Sequence, residues 1–360
     1  MKPGYRVSSI DIFRGLTMLL MIFVNDLASV HGLPWWNYHL PASANGMTYV
    51  DMVFPTFLFI VGLSLPLAVN RRIEKGNSLW QLWRHILART AGLLALGIAL
   101  ANADSCTSMP PNLWGFLILV SGILFWLTDR RFRYVGLAGL LILFALFRRG
   151  NHWLTFGYWE ILGIIGWTYL AVCLVYIPTR RWKFAPLCWL VVFCAYNCWS
   201  PIHLPMHLWP FSNGGFCLLV FAGMVATQIL FTDAFRHKMT VGLIYAAVLC
   251  GAGMALLPFG ISKIRATPTW CLFTASAAML VLIGLHWLCD LKQKTGWAAF
   301  AKPAGSNTIL TYLLPDLYYF GIGLSFVDHG LPGVFRAAVF TALMLALSAL
   351  LTRWNIRMQL

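Results

Sequence analysis

Charge is what this chain has least of. Only 10% of its 360 residues are Asp, Glu, Lys or Arg, against about 25% in a typical soluble domain. No polar stretch is longer than a loop, so any chemistry must sit among helices or at their ends. The first apolar run contains Asp11 and Arg14 and is followed by no A-x-A-like site, so no cleavable signal peptide is expected. The apolar runs do not alternate, which excludes a β-barrel. The nine Cys are scattered singly with no CxxC spacing and read as small packing residues. His203 and His207 are split by Pro205 and have no carboxylate or Cys beside them, so no metal site is expected. The net charge is +15, but Lys and Arg fall between apolar runs and not in one patch, which argues against a nucleic-acid partner. There is no evident internal repeat.

What remains is apolar: 60% hydrophobic residues and a mean hydropathy of +0.74. Runs of roughly 18 to 22 residues match the hydrocarbon core of a bilayer at about 1.5 Å per residue. The reading is an all-α, polytopic helical membrane protein, a single domain over 1–360, with about twelve transmembrane helices (ten to twelve). The spans lie near 9–30, 49–70, 85–102, 112–128, 134–148, 153–177, 185–202, 214–232, 240–258, 269–290, 305–325 and 334–352. With the N-terminus inside, twenty Lys and Arg fall on inner segments and five on outer ones. That bias predicts an even count with both termini cytoplasmic.

Ionisable side chains are costly in a bilayer and are rarely left there without a partner or a task. Asp11, Asp26, Asp51, Glu160 and Asp316 fall in or at the edge of apolar spans, three of them between Arg6 and Pro55. On a helix at 100° per residue, Asp11, Arg14, Met18, Met21 and Asn25 share one face, which must look into the bundle or a wet cavity. This stripe connects an inner charged pair to an outer amide. An Asp11–Arg14 pair that only locks packing, and an Asn25 that only joins helices, would look the same in sequence. The outer loop 31–48 carries no Lys or Arg, but has three aromatics suited to an interface and two histidines, His31 and His39. Most loop histidines are simply solvated. His39 stands out because it lies between Asn25 and Asp51, where a carboxylate could orient an imidazole acting as a base.

The stretch SIDIFRGLTMLLMIFVN, then His39, then NGMTYVDMVFPTFLFIVGLSLPLA, resembles the heparan-α-glucosaminide N-acetyltransferase family, and most closely its bacterial relatives of unassigned role. The resemblance is dense over 6–70 and echoes at 303–314 in PAGSNTILTYLL. It implies a multi-pass acyltransferase of the cytoplasmic (inner) membrane, acting as a homodimer. Such an enzyme moves the acetyl group of cytosolic acetyl-CoA to an amino sugar on the far side, without a metal. By motif position it implies His39, Asn25 and Asp51 as catalytic residues, and Asp11, Arg14, Asn307 and Tyr312 as acetyl-CoA contacts. Asp26, Asn45 and Glu160 would be acceptor contacts. Gly163 and Ile164 stand where relatives carry a Gln-Arg pair, and the fourth and fifth spans look like additions. Direct transfer and an acetyl-His intermediate both remain open, as do O-acetylation of an envelope glycan and a transporter or flippase for a sugar or lipid-linked metabolite.

Overall fold

The computed structural model describes residues 7–127, 129–156, 160–203, 211–323 and 327–358. His207 therefore lies outside the described residues, as does the side chain of His203. The α-helices are α1 (Ser8–Leu27), α2 (Tyr49–Glu74), α3 (Leu79–Asn102), α4 (Pro111–Trp126), α5 (Arg133–Leu146) and α6 (Glu160–Thr179). They continue with α7 (Ala185–His203), α8 (Gly215–Phe231), α9 (Lys238–Ala255), α10 (Pro268–Leu285), α11 (Lys302–Ser306), α12 (Thr308–Gly321) and α13 (Gly330–Arg353). Each apolar run is helical. The eleventh is split into α11 and α12 at Asn307, whose backbone leaves the helical region. Among the described residues, α2, α3, α6, α9, α10 and α13 are long and apolar enough to cross a membrane. The chain is an all-helical membrane protein.

Two boundaries differ from expectation. The third helix starts at Leu79, not near 85, because Ser78 and Gln81 form a capping box that satisfies its first N–H groups. The sixth starts at Glu160, not 153. Residues 149–155 are held as a loop by paired backbone bonds between Arg149 and His152, and by Asn102, which accepts from Thr155 N at 3.0 Å.

Close helix crossings set the frame. Gly62 of α2 lies against the Val220 carbonyl of α8, and Gly223 of α8 lies against the Phe59 carbonyl of α2, so the two backbones touch. Small residues at such a crossing let helices approach without a hydrophobic driving force. The same device seats α1 on the segment before α12: Gly15 faces the Ala301 carbonyl and Gly305 faces the Asp11 carbonyl. Val7 offers no capping side chain to α1. Asp290, in the π-helical turn His286–Leu291 that prolongs α10, takes that role by accepting from Ser9 N at 3.1 Å and from Ser9 Oγ. His286 Nδ1 holds the same carboxylate at 2.8 Å. A carboxylate suits a helix N-terminus, where unpaired N–H groups and the helix dipole favour negative charge. These contacts fix the rotation of α1 and hence the direction of its polar stripe.

Candidate active site

The stripe on α1 faces a cavity of about 800 Å³. Arg14, Met18 and Met21 line it from α1, and Ser64 and Arg72 from α2. His85 and Arg89 of α3, Arg133 of α5, Tyr169 of α6 and Tyr312 of α12 complete its polar wall. Among the described residues, four Arg and one His line it, and no Asp or Glu does. Arg14 bonds the Gly305 carbonyl at 3.2 Å and Ser64 Oγ, with Asp11 behind it at 3.5 Å. Arg72 donates to His85 Nε2 at 2.9 Å, and Arg89 lies 5.2 Å from the centre of the Tyr169 ring. A smaller space of about 400 Å³ adjoins it, sharing Arg72 and His85 and adding Asn77, Gln81 and Arg84. Such a concentration of guanidinium groups suits a polyanion, because Arg binds phosphate oxygens through paired, charge-assisted hydrogen bonds.

A second group lies at the N-terminal end of α2. Thr48 and Asp51 form the capping box of that helix, with Asp51 Oδ2 accepting from Thr48 N at 3.1 Å. The other oxygen, Oδ1, is 2.8 Å from His39 Nδ1. Asp51 is 1% exposed and His39 has a 39% exposed side chain. A carboxylate on Nδ1 requires the proton there, which leaves Nε2 with its lone pair, the tautomer a general base needs. The Nζ of Lys263, from the loop before α10, lies 3.1 Å from both ring nitrogens. Burial pushes the Lys263 ammonium below its usual range, while the Asp51 and Glu160 carboxylates pull it back up.

The remaining candidates are dispersed. Asn25 is exposed near the C-terminal end of α1, with no side-chain hydrogen-bond partner among the described residues. Asp26 is buried and occupied: it takes hydrogen bonds from Tyr319 Oη and from Arg336 at 3.1 Å, joining α1, α12 and α13. Asn45 Oδ1 accepts from Ile261 N at 2.7 Å, which ties the His39 loop to the Lys263 loop. Asn307 does not line the cavity. Its amide donates to the Ile356 carbonyl at 3.0 Å and accepts from Met358 N at 3.2 Å, seating Met358 on the cavity wall. Glu160 opens α6, its carboxylate accepting from the N–H of Ile161, which lines the cavity.

The cavity stops short of His39. Its outermost lining residue on α1 is Met21, four residues and roughly 6 Å below Asn25. On α2 it is Phe57, six residues and roughly 9 Å below Asp51. Sequence reasoning missed Lys263 and the basic wall. Lys263 was one outer charge among five, and Arg72, His85, Arg89 and Arg133 carry no motif; their charges were absorbed by the topology rule.

Residues 6–147 match the family described as Domain of unknown function (DUF5009). The matched region runs through α4 and α5. The chain is similar to the human protein named Heparan-alpha-glucosaminide N-acetyltransferase, with 39% identity over 101 residues, 28% of this chain and 14% of the human one. It is similar to the mouse protein of the same name, with 37% identity over 101 residues, 28% of this chain and 15% of the mouse one. The aligned stretch thus spans about one seventh of the length of these curated relatives. Over 101 residues, the chain is thus similar to heparan-alpha-glucosaminide N-acetyltransferases.

Proposed function

We propose that this chain is a membrane-embedded acetyltransferase. It moves the acetyl group of cytosolic acetyl-CoA to the amine of an amino sugar on the outer side. In this reading about twelve spans cross the cytoplasmic membrane, both termini lie inside, and two copies form a homodimer. The observation that carries it is the pairing on α1 and α2 of a cavity walled by Arg14, Arg72, Arg89 and Arg133 with an Asp51-held imidazole farther along the same helices.

The phosphates of acetyl-CoA meet Arg72, Arg84, Arg89 and Arg133 at the inner end. The acetyl-bearing arm runs along Met18 and Met21, with Arg14 and Tyr312 beside it. The layer at Met21 and Phe57 must part for the thioester to meet His39. The acceptor nitrogen then forms a bond to the acetyl carbon, and His39 Nε2 takes the proton that the amine gives up. Asp51 stabilises the imidazolium that results. Asn25 faces the developing oxyanion as a hydrogen-bond donor. Collapse breaks the C–S bond, and the thiolate takes the proton from His39.

A second reading, a transporter open to the inside, draws on the same closed layer at Met21 and Phe57. One assay separates them. Purified protein in detergent is given labelled acetyl-CoA with and without glucosamine, and free thiol and acetylated amine are counted together. Acceptor-dependent thiol release, abolished in His39→Ala, is expected. Intact acetyl-CoA in every sample would reject the enzyme reading.

A further inference from the structure

Lys263 has no part in the family motif and lies 224 residues from His39 in sequence, yet its Nζ is 3.1 Å from both nitrogens of that ring. It is not a long side chain that happens to fall on a neighbour, because the loop that carries it is held from two directions. On one side, Ile261 is bonded to the His39 loop through Asn45 Oδ1 at 2.7 Å and through Gly46 N at 2.9 Å. On the other, the buried Asn213 donates to the Arg265 carbonyl at 2.8 Å, and the buried Asn197 donates to the Ala266 carbonyl at 3.1 Å. Ser262 N is taken by Thr267 Oγ1 at 3.0 Å. Ala266 is left with φ of +45°, a left-handed conformation that alanine adopts only when its surroundings impose it. The loop that presents this ammonium is therefore fixed in place on both sides of Lys263.

With Nδ1–H directed at Asp51, the remaining lone pair is at Nε2 in the plane of the ring, and an ammonium equidistant from both nitrogens sits against the ring rather than on the axis of that lone pair. We infer that Lys263 is a positioning residue for His39: in the resting protein its ammonium covers the ring and holds the imidazole on Asp51. The inference rests on the acetyl-transfer reading. When the acceptor amine arrives at Nε2, the ammonium swings off the ring to the nearest new negative charge, the former carbonyl oxygen. The atoms balance. The acceptor nitrogen bonds the acetyl carbon, the carbonyl π pair moves to oxygen beside Lys263 Nζ, and the amine proton passes to His39 Nε2. Re-formation of C=O then expels the thiolate, which takes the proton from His39, and Lys263 keeps all of its own protons throughout.

The test uses the full chain in detergent with Lys263→Met and Lys263→Arg. One readout needs no turnover: the rate at which diethylpyrocarbonate modifies the peptide carrying His39, followed by mass spectrometry. Lys263→Met removes the ammonium that covers the ring, so modification of His39 is expected to quicken severalfold, and Lys263→Arg to return it toward the wild-type rate. In the transfer assay Lys263→Met is expected to lower kcat by about 10²-fold, the scale of losing one oxyanion donor. KM for acetyl-CoA should stay within about twofold, because the basic cavity is untouched. Equal modification rates in wild type and Lys263→Met would overturn the inference, whatever happens to turnover. A faster modification in Lys263→Met, with no acetyl transfer by wild type, would support the contact and reject the acetyltransferase reading instead.

Discussion

His39 Nδ1 lies 2.8 Å from Asp51 Oδ1, and the other oxygen of the same carboxylate closes the first turn of α2 through Thr48. One side chain thus has a structural task and, in the proposed reaction, a chemical one. The two can be separated. Asp51→Asn keeps an oxygen that can accept from Thr48 N, so the loss of capping is small, within about 1 kcal/mol. It removes the charge that stabilises an imidazolium, so turnover is expected to fall by about 10²-fold or more. Asp51→Ala loses both and leaves the Thr48 N–H unpaired, at a further cost of about 1 to 3 kcal/mol. Thermal unfolding and acetyl transfer, measured on both variants, check the separation.

The basic wall of the cavity carries the second prediction. Arg72→Ala and Arg89→Ala each remove one guanidinium facing the space assigned to the CoA phosphates. A hydrogen bond to a charged group contributes about 1.5 to 3 kcal/mol, so calorimetry should find CoA binding weakened by about 10- to 150-fold per substitution. kcat at saturating acetyl-CoA should be nearly unchanged. A lowered kcat with unaltered CoA affinity would remove these residues from the donor site.

Asp26 was expected among the acceptor contacts, yet Arg336 and Tyr319 occupy its carboxylate. Breaking a buried pair by removing one partner is destabilising by about 3 to 5 kcal/mol. Asp26→Asn is therefore expected to lower the thermal midpoint strongly while leaving KM for the acceptor within about twofold in the folded fraction. The double variant with Arg336→Met should recover part of the lost stability. A large rise in acceptor KM without loss of stability would restore Asp26 to the acceptor site.

The α2–α8 crossing leaves no room for a side chain at Gly223 or Gly62. A methyl group at either would press on a carbonyl oxygen of the facing helix, so the helices must separate. Gly223→Ala is expected to destabilise the protein by about 1 to 3 kcal/mol, the usual range for overpacking. Gly251→Ala, where nothing lies within contact distance, is the control and should be close to neutral. Unfolding in a temperature series distinguishes the two.

Much of the fold was legible because each apolar run is helical, and the cost of polar groups in lipid leaves few other structures. The direction of the α1 stripe was legible too: helical spacing placed Arg14, Met18 and Met21 on one face, and they line one cavity. Pairings across long stretches were not. Nothing local marks Lys263 as a neighbour of His39, or Arg336 as the partner of Asp26, because both contacts are created by helix packing. Arg72, Arg89 and Arg133 were hidden for another reason. An arginine between apolar runs is what a topology signal also looks like, and only the cavity reveals that these face one shared space. Asn307 had the opposite fate: its motif was visible, but its amide bonds turn toward the C-terminal segment.

The central claim is that an acetyl group loaded from the inner cavity reaches an acceptor at the outer rim through His39. Sided proteoliposomes test it directly, with labelled acetyl-CoA sealed inside and glucosamine only outside. Acetylated glucosamine is expected in the external medium from wild type, and none above background from His39→Ala. Product that forms only when both reactants share one compartment, or equal product from His39→Ala, would contradict it.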